Sequence, residues 1–501
     1  MNIKISKGHQ TPVFRQVANQ IREAILCGEL REGSFLPSER EMAGMTGLHR
    51  NTVARVYQEL GCEGYLEAIR GRGHIVSFQT EKSDETPFPN AGNTDGEGRL
   101  ERKYPGVPWF ALMRNELVDC KSAFDDLFSK SCAGRNISFA SGLVPPEAYF
   151  EEDIKEILNE LTKSGNENIF NYSHHQGLHA LRSGLCSMFR MKGIDVSPSE
   201  ILVVNETNQA LDYLAELFTE KGDTVITESP TSPDVYRAFM LRGATVLSVP
   251  MERDGANIDM MKTLVERRRP KFICVSSGFH DPTGIVMSRE KRTRLLELSY
   301  RHMIPIIEED SSSEINFTEE RIPSIKAMDK NGNTVYIYSM ALTFAPGFKM
   351  AFVLGNKQVV KKLSYLQSMH IMNPDNINQS IIAHCIKKGL YMKNTHKIRE
   401  LYREKALLLS ECLSEARSLG LRFDEPKGGV YLWCRLPETA DFKRFQNDLT
   451  RRGVYIMPGS LFFPEGTTGS DYMRLNYSRP DRDQIKKGAR ILTETLRTSL
   501  R

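Results

Sequence analysis

A chain of 501 residues is too long for one hydrophobic core and is read as two to four domains. With 40% hydrophobic and 26% charged residues it has the make-up of a soluble globular protein, and no run of about 20 apolar residues occurs, which excludes a membrane-spanning helix. The net charge of +4 gives no global basic bias, so a nucleic-acid partner has to be argued from local pattern.

Residues 11–27, TPVFRQVANQIREAILC, open with Thr11 and Pro12 at N-cap and first-turn positions. Val13, Phe14, Val17, Ile21 and Ile25 follow at the spacing of one helical face, and Gly28 stops the helix. The next stretch, LPSEREMAGMTG, places Ser38 as N-cap after Pro37, with Glu41 three residues on, which is a capping box. After a turn at Thr46 and Gly47, LHRNTVARVYQELGCEGYL predicts a third helix. Val53, Val56, Tyr57 and Leu60 form its apolar stripe, while His49, Arg50, Asn51 and Arg55 stand at its start or on another face. YLEAIRGRGHIVSF then alternates around a glycine-rich basic turn at 70–73, the pattern of a two-stranded wing.

Helix, short helix, turn, helix and basic hairpin make a winged helix-turn-helix, assigned to residues 8–78. Arg50 and Asn51 can donate to base edges and Thr52 can reach a phosphate. In the wing, Arg70 and Arg72 bring two guanidinium groups to the DNA backbone, and Gly71 permits close approach. Charge alone says little here, since residues 1–78 carry ten basic against eight acidic side chains. The stretch PSEREMAGMTGLHRNTVARVYQELGCEGYL closely resembles the DNA-binding domain of GntR-family bacterial regulators. Those carry PSER, an SRNTV-like start to the recognition helix and a G-x-G wing; here His49 replaces the usual Ser or Thr. The resemblance implies double-stranded DNA as partner, with Arg50 and Asn51 on bases and Ser38, Arg40, Thr52 and the wing arginines on the backbone. His49 and Arg55 belong to the same expected surface. Residues 79–103 hold almost no aliphatic side chains and are read as a flexible linker with an r.m.s. reach of about 25–30 Å.

From about 137 short apolar runs alternate with helical stretches. Expected strands are ILVVN (201–205), TVITES (224–229), TVLSV (245–249), FICVSS (272–277), IPIIEED (304–310), VYIYS (335–339) and AFVLGN (351–356). They point to a mainly parallel, helix-covered sheet in a large α/β domain taken as 104–390. A long helical segment near 357–420 leads to YLWCRL, VYIMP and YMRLNYS, a small α+β C-terminal domain taken as 391–501. The nine cysteines are scattered without C-x-x-C or Cys/His clusters and read as reduced thiols of a cytoplasmic protein, with no metal site. The stretch MNIKISKGHQTPVF lacks the apolar run of a signal peptide.

Seven signposts in order make this body resemble fold-type-I aminotransferases, in the arrangement found behind a GntR head in MocR-type regulators. They are Y-x4-G-x3-LR (Tyr172, Gly177, Leu181, Arg182), E-x-P (Glu228, Pro230), DPTG (281–284), EED (308–310), APG (345–347), KGGVYLW (427–433) and MRLNYS (473–478).

On that resemblance the pyridoxal phosphate pocket is degenerate. The lysine that holds the cofactor as a Schiff base aligns with Leu342, which has no amine. The Gly-Ser pair that seats the phosphate at a helix start aligns with Glu206 and Thr207, and a carboxylate there repels a dianion. The stacking aromatic aligns with Ser232, the pyridinium aspartate with Glu309, and the ring-hydroxyl tyrosine with Ser311. The phosphate arginine aligns with Lys349, which keeps charge without the bidentate fork. Tyr172, Ser339 and Arg474 match the family, whose arginine at the last position grips a ligand's α-carboxylate. The expected ligand-binding residues are therefore Tyr172, Ser339, Lys349, Arg474, Glu309 and Asp281, with no catalytic residue. No cofactor is expected, and pyridoxal phosphate, if bound, is held non-covalently. Two of these features also have plain structural readings: Arg474 as half of a salt bridge, and the carboxylates at 308–310 as solvated loop charge.

The sequence reads as a cytoplasmic, homodimeric, DNA-binding transcriptional regulator. Its aminotransferase-like body is expected to dimerise and to sense a small amino-acid-like or amine ligand without transamination. The alternatives are a pyridoxal phosphate-dependent aminotransferase, a pyridoxal phosphate-sensing MocR regulator, or an inert partner of an active homologue.

Overall fold

The computed structural model describes residues 3, 13–26, 29–31, 33–62, 65–69, 73–77, 136–163, 169–464 and 468–500. The chain divides into two units, Met1–Cys120 and Lys121–Arg501. The wing residues Arg70, Gly71 and Arg72 and the expected linker 79–103 lie outside the described residues.

In the head, α1 (Val13–Leu26), α2 (Glu39–Thr46) and α3 (Arg50–Cys62) are followed by the antiparallel strands β1 (Leu66–Ile69) and β2 (Gly73–Val76), in the expected order. The capping box is formed: Ser38 Oγ accepts the Glu41 N–H at 3.3 Å and Glu41 Oε2 accepts the Ser38 N–H at 2.9 Å. Gly47 then ends α2 at φ +68°, where a side chain would be strained. Val17, Ile21, Ile25, Val53, Val56, Tyr57 and Leu60 close into one buried core, as the two stripes require. Val13 and Phe14 are only half-buried. The Tyr57 hydroxyl donates to the Pro37 carbonyl at 2.7 Å and its ring packs on His74 of β2, so one side chain of α3 ties down both of its neighbours.

The first described strand of the body is β3 (Ile137–Ser138). The body then lays down β4 (Ile201–Val204), β5 (Thr224–Ser229), β6 (Thr245–Glu252), β7 (Gly255–Ala256), β8 (Phe272–Val275), β9 (Ile306–Asp310), β10 (Thr334–Ser339) and β11 (Ala351–Leu354). From β4 on these make one eight-stranded sheet of order β4–β11–β10–β9–β8–β5–β6–β7. All the expected strands are in it. Strands β10, β9, β8, β5 and β6 run parallel to one another, while β11 is antiparallel to β10 and β4, and β7 is antiparallel to β6. The helices between are α4 (Glu151–Lys163), α5 (His179–Met191), α6 (Thr207–Phe218), α7 (Pro233–Met240), α8 (Ile258–Arg268), α9 (Arg289–His302) and α10 (Ile325–Met328). Side chains alternate between two layers: Ile201 and Val203 pack with Leu181 and Leu185 of α5, Leu202 and Val204 with Leu211 and Leu214 of α6. Strands buried on both faces read as unbroken apolar runs for this reason.

Two features differ from the sequence reading. The helical segment at 357–420 is four helices, α11 (Lys357–Ile371), α12 (Asn376–Lys387), α13 (Leu390–Cys412) and α14 (Ser414–Ser418). Pro374 and Gly389 fall in the breaks, and Gly389 stands at φ +71°. The second difference concerns the tail, made of β12 (Tyr431–Arg435), α15 (Phe442–Arg451), β13 (Val454–Tyr455), β14 (Met457–Pro458), β15 (Tyr472–Asn476) and α16 (Arg482–Ser499). Strand β3 pairs in parallel with β13, and Ile137, Phe139, Val144 and Ala148 belong to the tail's core. Gly488 of α16 leaves the notch that receives Phe139, since a Cβ there would stand 2.5 Å from the ring. Residues 137–148 thus pack with the tail, across the division drawn at 390. Among the described residues no helix is long and apolar enough to cross a membrane, and no group of three or more His, Cys, Asp or Glu is placed to hold a metal ion.

Gly177 of the Y-x4-G motif sits at φ +98°, and a Cβ built on it lies 2.4 Å from Val203 Cγ2. Gly177→Ala adds left-handed strain and a clash with β4, and is expected to lower the unfolding free energy by about 2–4 kcal/mol. Urea denaturation checks this against Gly347→Ala, where nothing lies within 4 Å and little change is expected.

Candidate functional site

The polar surface of the head gathers around the start of α3. Arg40, His49, Arg50, Asn51 and Arg55 are exposed, and Thr52 is half-buried. His49 caps the helix: its Nδ1 accepts the Asn51 N–H at 3.3 Å, as a serine or threonine hydroxyl does at such a position. Arg50 donates from Nε to Glu39 Oε2 at 3.0 Å. Arg55 instead leans on α1, its guanidinium 4.0 Å from the centre of the Phe14 ring, so part of its role is packing. Ser38 is engaged in the capping box through its acceptor, leaving its O–H to give.

In the body the carboxyl ends of parallel strands meet at a crevice, the place where such sheets bind ligands. Thr231 and Ser232 follow β5, Ser276 and Asp281 follow β8, and Glu309 lies near the end of β9; Leu211 and Val235 close the sides. The free space is about 10 Å³, enough for one water.

Of the carboxylates at 308–310, only Glu309 faces this crevice, because alternation turns its neighbours to the other side. Glu308 accepts from the Ile325 and Lys326 N–H groups at 2.9 and 2.8 Å, and Asp310 accepts from the Ser313 N–H at 2.9 Å and from the Tyr336 hydroxyl. None of the three is a solvated loop charge. Glu309 accepts from the Ser276 hydroxyl at 3.3 Å and from the Ser311 hydroxyl. Desolvation pushes its carboxyl up to about 7; the Ser311 bond pulls the other way, while Asp310 and Asp281 add to the rise.

Arg474 of β15 is buried, at 5% exposure. Its Nη1 donates to both oxygens of Asp281, at 2.7 and 2.8 Å, and its Nη2 to the Ala140 carbonyl at 3.2 Å. The guanidinium lies over Tyr431 and Phe462, 4.3 and 4.8 Å from their ring centres. Of the two readings of Arg474, the salt bridge is the one formed. Lys349 and Glu206 meet each other at 3.7 Å, with Glu206 standing at the N-cap of α6 without capping it. Ser339 is used in its own turn, accepting the Ala341 N–H at 3.2 Å, and Tyr172 stands on the surface at 77% exposure. The structure therefore brings Glu309, Asp281 and Arg474 together, pairs Lys349 with Glu206, and leaves Tyr172 and Ser339 outside the crevice lining.

A pyridoxal phosphate seat needs an amine, a cradle for a dianion and a slot for a ring. Leu342 offers none of these: it is 5% exposed and packs in the tail's core with Val144 and Tyr402. Lys326 donates to the Thr334 carbonyl at 2.9 Å, at the far end of β10 and about 16 Å of strand from Ser339. The start of α6, which would favour an anion, carries the Glu206 carboxylate. The residues present do not fit the cofactor.

Comparison with known proteins bears on both halves. Residues 136–492 match the family Aminotransferase class I and II, and residues 14–76 match Bacterial regulatory proteins, gntR family. The chain belongs to the class I and II aminotransferase family. With a GntR helix-turn-helix in front, its architecture is that of the MocR-type subgroup. It is 28% identical over 364 residues to 2-aminoadipate transaminase of Thermus thermophilus, covering 72% of this chain and 90% of that one. It is 26% identical over 483 residues to the HTH-type transcriptional regulator YdfD of Bacillus subtilis, 96% of each chain. The crystal structure of the multiple substrate aminotransferase of Thermococcus profundus matches with a TM-score of 0.74 at 27% identity, over 78% of this chain and 99% of that one.

Sequence reasoning missed Tyr431 and Phe462 around Arg474, and Glu39 beside Arg50. The first had a signal: in a strand such as YLWCRL every second residue must face one side, and Tyr431 stands opposite Asn476 on β15. The other two pairs are close in sequence, but no periodic pattern links their members.

The raised pKa of Glu309 has a consequence for stability. Its folded value of about 7 lies above the ordinary carboxylate value of 4.5, so the folded state holds an extra proton between these two and stability falls as pH rises through that window. Glu309→Gln should flatten the dependence and make the body more stable at pH 8 by about 1–3 kcal/mol. Thermal melts from pH 4.5 to 8 decide; equal slopes for both proteins would contradict it.

Proposed function

We propose that this chain is a cytoplasmic transcriptional regulator. Its winged-helix head grips duplex DNA, and its aminotransferase-like body dimerises and senses a small ligand without transaminating. The observation that carries this reading is Leu342, an apolar side chain packed in the tail's core where the resemblance requires a reactive amine. Two ion pairs support it. At the positions implied for the phosphate and the ligand carboxylate, Lys349 and Arg474 already hold carboxylates of the chain itself, Glu206 and Asp281. Each anion seat is filled from within.

The same pairs shape the ligand. A carboxylate has to displace Asp281 from Arg474, whereas an amine meets Glu309 directly. The effector is thus held mainly through its amine, and the crevice must open to admit it. A second reading, a pyridoxal phosphate-dependent aminotransferase or a regulator that senses the cofactor, is favoured by the retention of Arg474 and Tyr172 and by the transaminase relatives.

For dimerisation, the loop at 169–175 rests on α11 and α12 through the bonds of Asn376 to the Asn171 carbonyl and of Gln367 to the His175 carbonyl, 2.5 and 2.6 Å. Phe170, Tyr172, Tyr365, Met369 and Met372 are all at least 59% exposed there. Such an apolar surface fits a second copy of the chain.

Purified protein mixed with pyridoxal phosphate is expected to show no new visible absorption band and no borohydride-fixed label on a lysine. A labelled lysine would favour the second reading. Leu342→Lys alone should not restore a band, while Leu342→Lys with Glu206→Ser should do so at least partly. By light scattering after size exclusion the chain, of 56.9 kDa, should weigh twice that, and Tyr365→Asp with Met369→Asp should halve it.

A further inference from the structure

The Arg50 side chain is the first of α3 and is mostly open to solvent, at 71% exposure, yet it is not free. Its Nε is spent on Glu39 Oε2 at 3.0 Å, and Glu39 is the first residue of α2, 28% exposed. The bond spans the angle between the two helices of the helix-turn-helix. An exposed ion pair of this kind stabilises a fold little, so its consequence lies in geometry. A guanidinium presents five N–H groups in a rigid plane. With the Nε edge engaged, the outer edge, Nη1 with Nη2, is what remains to face a partner. In the major groove, two acceptors set for such a fork are O6 and N7 of guanine.

We infer that Glu39 is a positioning residue for sequence reading, holding Arg50 so that its outer fork pairs with one guanine in each half-site. This rests on the reading of the head as a DNA binder and adds the base and the residue that orients its reader. Glu39 touches no base in this scheme. Its carboxylate also opposes nearby phosphates, so it restrains binding to arbitrary DNA while sharpening the choice of guanine.

The test is selection of the full-length chain on a library of randomised DNA duplexes, followed by competition binding on the enriched sequence and on single-base variants. The wild type is expected to enrich a half-site with one strongly preferred guanine. Arg50→Ala should lose preference at that base and keep it elsewhere, and Arg50→Lys, which keeps the charge without the fork, should weaken it. Glu39→Gln should enrich the same motif with the guanine preference loosened about fivefold to tenfold, while affinity for random DNA stays level or rises. Full guanine preference in Glu39→Gln overturns the positioning role. So does an equal loss on every sequence that accompanies a lowered melting point, the mark of a merely structural residue. If the wild type enriches no motif at all, the reading of the head as a sequence-specific binder falls instead.

Discussion

A guanidinium cannot stay charged in an apolar interior without a counter-ion, and Arg474 finds its own in Asp281. The pair joins the tail, through β15, to the loop behind β8 of the large sheet. Tyr431 and Phe462 cover the flat faces of the guanidinium and the Ala140 carbonyl takes a further N–H. Asp281, the acidic half of this bridge, also lines the crevice at the strand ends. Removing either partner would strand the other in a site that offers little water. Charge balance also sets the character of what is left: with Arg474 answered, the half-buried Glu309 has only hydroxyl partners and holds its proton near neutral pH.

Much of the architecture was legible because each level of the sequence agreed with the next. The capping box at Ser38 and Glu41, the stripe of Val53, Val56, Tyr57 and Leu60, and the apolar runs of the sheet are local signals with local causes. The motif residues at 228–232, 276–281 and 309 also come together as a parallel sheet requires, at the carboxyl ends of its strands. What could not be read were pairings across the chain. Nothing in NISFASGLV announces β13 as its neighbour, and nothing in MRLNYS says whether Arg474 meets a ligand or Asp281. The EED run shows the limit most clearly, since period-two alternation sends Glu308 and Asp310 into satisfied interior bonds and leaves Glu309 alone at the crevice.

The head illustrates how a departure from a family pattern can keep the physics while changing the residue. An imidazole at His49 supplies the acceptor that a hydroxyl usually gives to the start of the third helix. At the positions that the resemblance implies for the cofactor, the body departs differently, because an isobutyl group cannot stand in for an amine and a carboxylate cannot stand in for a phosphate cradle. Likeness in backbone to aminotransferases at a TM-score of 0.74 is therefore compatible with a crevice of quite different chemistry.

Strand β3 is hydrogen-bonded to β13, and Phe139 is locked into the notch at Gly488. The first described segment of the body is consequently anchored to the C-terminal layer, with no strand of its own in the large sheet. Any shift of that layer against the large sheet therefore carries residues 137–148 along with it, although they precede every strand of that sheet in the chain.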